Sequence, residues 1–183
     1  MDIDLDSCPH IHPSLRIKVY HSAAAVYHAP SDLSRIGGMH REYIRATPSW
    51  LSREPRHDCV FVEKDSGEDG FRGLGVAQVL FSFSFNFDDT DYSCAFVQWF
   101  ETTGDSPCPE TGMWMVHPDI DQHRRQRISS VIHIDSILCA AHLIGVCGSS
   151  FIPDNLTYTK SLQAFKTYYV NKYADHHAYE IAY

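Results

Sequence analysis

Residues 79–116, VLFSFSFNFDDTDYSCAFVQWFETTGDSPCPETGMWMV, restrict the possible folds more than any other stretch of the chain. From Val79 to Phe87 every odd position is apolar, and positions 82, 84 and 86 are the polar Ser82, Ser84 and Asn86, the period-two pattern of a β-strand. Asp88-Asp89-Thr90-Asp91 supplies turn chemistry. Tyr92 to Phe100 then returns as a strand that is apolar on both faces apart from Ser93 and Gln98. A loop bearing Gly104, Pro107 and Pro109 leads to a third strand at Gly112 to Val116, completing a β-meander. The rings of Phe81, Phe83, Phe85 and Phe87 share one face. Left bare, such a face is an aggregation hazard, so it is expected to form the core, each ring contributing roughly 1.5–3 kcal/mol on burial.

The flanking sequence extends this pattern. Leu15 to His28 and Asp58 to Glu63 read as strands, as do Ser130 to Ile134 and Ala140 to Val146. Asp135 to Leu138 reads as a tight bend, with a helix capped by Asp135 as the alternative. Pro30, Gly37, Gly38 and Pro48 make 29–50 a long loop with one helical turn. Residues 64–75, rich in Gly and Asp, read as a flexible connection. From Thr159, as N-cap, a helix is expected, because Leu162, Phe165, Tyr169, Tyr173 and His176 recur on one helical face. The expected fold is mainly β (α+β): a β-barrel with a long N-terminal arm and a C-terminal helix packed on it. Residues 1–13 form a flexible lead-in, 14–150 the barrel domain with its arm, and 151–183 a helical extension.

The chain of 183 residues is long enough for one self-sufficient core. Its formal net charge of −8, with only 15 Lys and Arg, argues against generic DNA binding, which draws on phosphate neutralisation. Two local basic stretches remain. One holds Arg35, Arg41, Arg45, Arg53 and Arg56, set against Asp32, Glu42 and Glu54; the other is His123-Arg124-Arg125-Gln126-Arg127. Six cysteines lack any C-x-x-C spacing, and no leader marks the first 30 residues, so an intracellular, reducing setting without disulfides is expected. No apolar run approaches the roughly 18 residues of a membrane span.

Motifs for chemistry are sparse. Cys8, His10 and His12 lie in the lead-in, where a packed metal site is not expected. Residues 34–38 lack phosphate-loop spacing, and Asp65, Glu68 and Asp69 lack calcium-loop spacing. His176 and Glu180 are i and i+4 on the expected helix, near Asp175 and His177, but without a metalloprotease motif. Cys139 with His142, and Cys59 with His57, are close in sequence without a nucleophile signature. No catalytic residue, metal or cofactor is therefore assigned. Tyr92, Trp99 and Trp114 are the candidate protein- or peptide-binding aromatics, with core packing as the alternative. Arg35, Arg41, Arg45, Arg124 and Arg125 are the candidate nucleic-acid contacts.

Two resemblances bear on these readings. The order DCVFV (58–62), VAQV (76–79), VQWFETT (97–103) and VIHIDSIL (131–138) resembles a BAH-type SH3-like barrel over about 90 residues. The phrases APSDLSRIGGM (29–39), TGMWMV (111–116), IHIDSI (132–137) and YVNKYADHHAYEIAY (169–183) resemble the C-terminal region of fungal Plavaka-type transposases of the CACTA-like group. This second resemblance implies a mobile-element-derived, nuclear sequence. The catalytic carboxylates of such transposases belong to an RNase H-like domain that would lie upstream, so none is carried over. What it implies is a non-catalytic interaction module for a chromatin or transposase partner protein. A DNA-contacting accessory domain is the alternative, and a metal-dependent enzyme a weak third.

Overall fold

The computed structural model describes residues 15–29, 36–51, 54–148, 152, 154, 156–157 and 160–183. In chain order the strands are β1 (Ile17–Tyr20), β2 (Ser22–His28), β3 (Met39–Thr47), β4 (Arg56–His57), β5 (Cys59–Glu63), β6 (Leu74–Phe87) and β7 (Thr90–Thr102). They continue as β8 (Met115–Pro118), β9 (Ile120–Asp121), β10 (Gln126–Arg127), β11 (Ser129–His133), β12 (Ile137–Ala141) and β13 (Leu143–Gly145). A one-turn helix α1 (Ser161–Ala164), strand β14 (Tyr168–Val170) and helix α2 (His176–Ile181) complete the chain. No helix among the described residues is long and apolar enough to cross a membrane.

The main sheet runs β12-β5-β6-β7-β8-β14-β13, all antiparallel. Only His142 separates β12 from β13, so one chain segment pairs with β5 at one end and with β14 at the other. That shared segment curls the sheet into a nearly closed barrel, the expected architecture. Phe61, Val76, Phe100, Trp114, Val116 and Tyr168 fill its interior. Phe71 stacks on Trp114 at 5.2 Å from a 3-10 turn over Gly70–Gly73.

The β2–β3 ribbon packs on the outside of this wall. Ile44 and Ala46 sit on Val60, Val62, Ala77, Val79, Ala95 and Val97, a second buried layer made of small and branched side chains. Small residues let a second layer approach closely, which is why the ribbon chose this face. The ribbon corrects the loop expected over 29–50: β3 is nine residues long and pairs with β2 from Ser22↔Arg45 to His28↔Met39. Gly37 and Gly38, with φ of 70° and 72°, confine the reversal to a 3-10 turn before β3.

The Phe face is the main correction. β6 and β7 pair in register from Val76↔Phe100 to Val79↔Val97, then slip by one residue at Leu80, and resume from Phe81↔Phe96 to Phe87↔Thr90. The bulge moves the odd positions of β6 to the opposite face. Ser82 is therefore buried under the ribbon, while Phe81, Phe83, Phe85 and Phe87 remain partly exposed on the other side. The expected single C-terminal helix is also replaced. Tyr168 and Val170 point inward with the period of two that a strand requires, and β14 pairs with both β8 and β13. The barrel is thus completed by residues assigned from sequence to a helical extension. What remains helical is the single turn of α1 and α2, the latter capped by Asp175 Oδ1, which accepts from Ala178 N at 2.7 Å. Ala178 and Ala182 dock it. Thr159, Arg35, Arg53 and the 1–13 lead-in lie outside the described residues.

This division of roles is measurable by chemical denaturation. Phe61→Ala should cost about 3–5 kcal/mol, as for a fully buried ring, whereas Phe83→Ala should cost well under half of that. Equal losses would return the Phe ladder to the core.

Candidate functional site

Past the bulge, the β6–β7 hairpin leaves the barrel and becomes the centre of a four-stranded sheet. β1 pairs with β6 from Ile17↔Phe85 to Tyr20↔Ser82, and β11 pairs with β7 from Ser129↔Gln98 to His133↔Cys94. Next to the barrel, at Ser82 and Ala95, one face of this extension lies under the ribbon. The other is aromatic and only partly buried: Phe81, Phe83 and Phe85 form a ladder with centroid spacings of 5.7 and 6.2 Å. Phe96 lies 5.3 Å from Phe81, and Tyr92 stacks on Phe85 at 5.2 Å and 15°. Ile17 and Val19 on one edge and Val131 on the other keep 52%, 51% and 56% of their surface in water. Alternation puts them on the aromatic side, giving a continuous apolar platform.

The platform runs into a groove at the barrel mouth. There Gln78 and Gln98 are cross-strand partners on the face that continues from Phe100 to Phe96. A cavity of about 700 Å³ opens over them, walled by Trp50, Arg56, His57 and Leu162. Gln78 Nε2 donates to His57 O at 3.3 Å. Asp58 organises the wall: its carboxylate accepts from Arg45 N and from Arg56 Nε, both at 2.8 Å. The guanidiniums of Arg45 and Arg56 lie 4.6 and 5.2 Å from the Trp50 ring. Trp50 is the residue sequence reasoning missed. It sits in the loop after Pro48, where no periodicity marks it, and only the neighbouring arginines hint at a cation–π partner.

The three candidate aromatics do not share a surface. Tyr92 is on the platform. Trp99 faces the ribbon side, donates from Nε1 to Ser130 Oγ at 2.7 Å and carries Lys64 Nζ 4.7 Å from its ring. Trp114 is 5% exposed in the barrel interior, its Nε1 donating to Tyr183 O at 3.3 Å. Burial and a satisfied donor make it a core residue, correcting its reading as a binding aromatic. The candidate arginines are likewise divided. Arg41 and Arg45 alternate with Tyr43 on β3, Arg41 lying 5.3 Å from the Tyr43 ring. Arg124 and Arg125 form the exposed turn between β9 and β10, where Arg124 Nε lies 3.9 Å from Asp121. Arg127, from the same basic run, turns inward: it donates to Trp99 O at 3.1 Å and lies 4.5 Å from the Phe100 ring.

The other clusters are packed in place. His176 and Glu180 pair at 3.2 Å, and no group of three ligating side chains fit for a metal occurs among the described residues. Cys139 faces the barrel core, whereas His142 is at the surface, 2.9 Å from Asn171 Nδ2. Burial pushes the Cys59 thiol up to about 12 and raises Cys139 as well. Burial also lowers His57, against the neighbouring Asp58, and lowers His177, against Asp175 and Glu180. No protein-family model matches the chain, and neither the curated proteins nor the solved structures contain a significant match to it.

Two outcomes follow from these environments. Cys59 and Cys139 should resist alkylation at pH 8 in the native protein and react only on unfolding, while partly exposed Cys147 is labelled before them; peptide mass spectrometry reads this directly. For His57 and His177 the folded values lie below the ordinary 6.5, so the unfolded chain binds more protons as the pH falls. The stability they contribute is complete above 6.5 and is lost as pH drops through that value toward the folded ones. His57→Gln should flatten this decline in urea melts across that range.

Proposed function

We propose that this chain is a non-catalytic protein-docking module and that the aromatic platform is its docking face. The observation that carries this reading is the asymmetry of the four-stranded extension. Next to the barrel one face is covered by the β2–β3 ribbon over Ser82 and Ala95, and the other presents a ladder of aromatic rings between exposed Ile17, Val19 and Val131. Monomers rarely expose contiguous apolar patches beyond about 300–600 Å², and larger ones mark interaction sites. The thiols and histidines are held by burial and local pairing rather than arranged around a reacting centre, which supports a binding protein over an enzyme. The transposase-like phrases support a mobile-element origin, a nuclear setting and a chromatin or transposase protein as partner.

A second reading rests on one further observation. Arg41, Tyr43 and Arg45 alternate along β3, next to Trp50, and cations interleaved with aromatics suit a nucleic-acid backbone and its bases. Arg124 and Arg125 would add a separate contact.

Selection of peptides from a random displayed library on the immobilised protein tests the first reading. Enriched peptides should bind Val131→Lys at least about tenfold more weakly, with the melting curve unchanged. Failure to enrich, or indifference to the substitution, rejects the platform as a docking face. In parallel, duplex DNA affinity titrated with salt should be weak and shallow. A steep negative slope that flattens in Arg41→Ala with Arg45→Ala would establish the second reading instead.

A further inference from the structure

We infer that the platform's occupant is a second copy of this chain, packed face to face about a two-fold axis lying across the strands near Phe83. The inference rests on the platform being a protein-docking face and names what it docks.

Three observations converge on a like copy. The first is composition. The exposed side chains along the middle of this face, Ile17, Val19, Tyr92 and Val131, are apolar or aromatic, and the polar Ser129 and ion-paired His133 lie on its β11 edge. Homodimer interfaces are the more apolar class, with charged residues depleted from their centres. The second is area. Partly exposed side chains of this size leave roughly 50–100 Å² each in water, so the platform presents on the order of 600 Å² per copy. A pair then buries about 1,200 Å², the lower bound of a specific interface, which suits a dissociation constant in the micromolar range.

The third is charge placement. The hairpin tip carries Asp88 and Asp89, and the mouth at the other end carries Arg56, paired with Asp58, and Arg45, both against Trp50. Phe83, paired with Cys94, lies midway between Gln78 at the mouth and Asp88 at the tip. An axis along the strands would set the two tip carboxylates, Asp88 and Asp89, against their own copies. An axis across them sets each acidic tip over the partner's arginine-bearing mouth, so that every contact occurs twice with opposite partners, as a closed two-fold interface requires. Tyr92 of each copy then lies over Phe81 and Phe96 of the other.

Light scattering after size exclusion, run from low micromolar to about 200 µM, tests this. The wild-type chain should pass from 20.8 kDa to twice that mass with rising concentration. Val131→Lys, at a site already 56% exposed, should remain folded by circular dichroism and dissociate at least about tenfold more readily. Asp89→Arg, which places a cation over the partner's Arg56, should weaken the dimer by several-fold. A wild-type chain that stays monomeric overturns the pairing, as does a dimer that ignores Val131→Lys. A dimer weakened by Val131→Lys but not by Asp89→Arg overturns the tip-to-mouth arrangement. The library selection judges the docking face independently, because a monomer whose selected peptides still require Val131 keeps the face and loses only this occupant.

Discussion

The ladder between β6 and β7 is the element on which every other part depends. At 14 and 13 residues, these strands outrun the barrel that their first halves help to build. Within the barrel they lend Val76 and Phe100 to the interior and Ala77, Val79 and Val97 to the outer layer, so the same backbone is buried on both sides. Beyond it they recruit β1 and β11 as flanking strands. Loss of this pairing would separate the barrel, the ribbon's seat and the platform together. The groove lies where the three meet, so its geometry is set by backbone pairing rather than by mobile side chains.

Two carboxylates fix the outer layer onto that ladder. Asp58 ties the end of β3 to the strand entering the barrel through Arg45 N and Arg56 Nε. Glu42, on β3, accepts from Ala140 N of β12, a half-buried position where desolvation raises its pKa. Tyr27 of β2 stacks on His177 of α2 at 4.2 Å, joining the ribbon to the C-terminal helix. The ribbon is therefore pinned to the wall at several points by polar and aromatic contacts, in addition to its apolar seat. That fixation keeps the ribbon on the side of the sheet opposite the aromatic ladder.

The barrel was legible in the sequence wherever alternation was strong and uninterrupted, as in residues 59–63, 79–87, 92–100 and 129–133. Boundaries failed where local pattern and tertiary pairing disagreed. Residues 39–47 follow two glycines and carry five polar or charged side chains among nine, so nothing local announces a strand; pairing with β2 makes it one. Residues 168–170 fit a helical stripe and a strand equally well until β8 and β13 are in place to pair with them. Of the candidate binding aromatics, Tyr92 reached the platform, and neither Trp99 nor Trp114 did. A side chain's face depends on register, and register is decided by partners far away in sequence. Trp50 escaped notice for the same reason, since its arginine neighbours come from two different strands.

The bulge at Leu80 works as a phase shifter. Alternation specifies that Phe81, Phe83, Phe85 and Phe87 stay together, but it is silent about which side they take. Without the bulge, continuing the register from Val79↔Val97 through Leu80 would turn the rings under the ribbon and the serines to the outside. One bulge thus converts what would be interior bulk into an outward-facing surface, with no change in the hydrophobic pattern. The distinction between a chain that hides its aromatics and one that presents them is carried here by the phase of the ladder at one residue, not by the kind of residues in it.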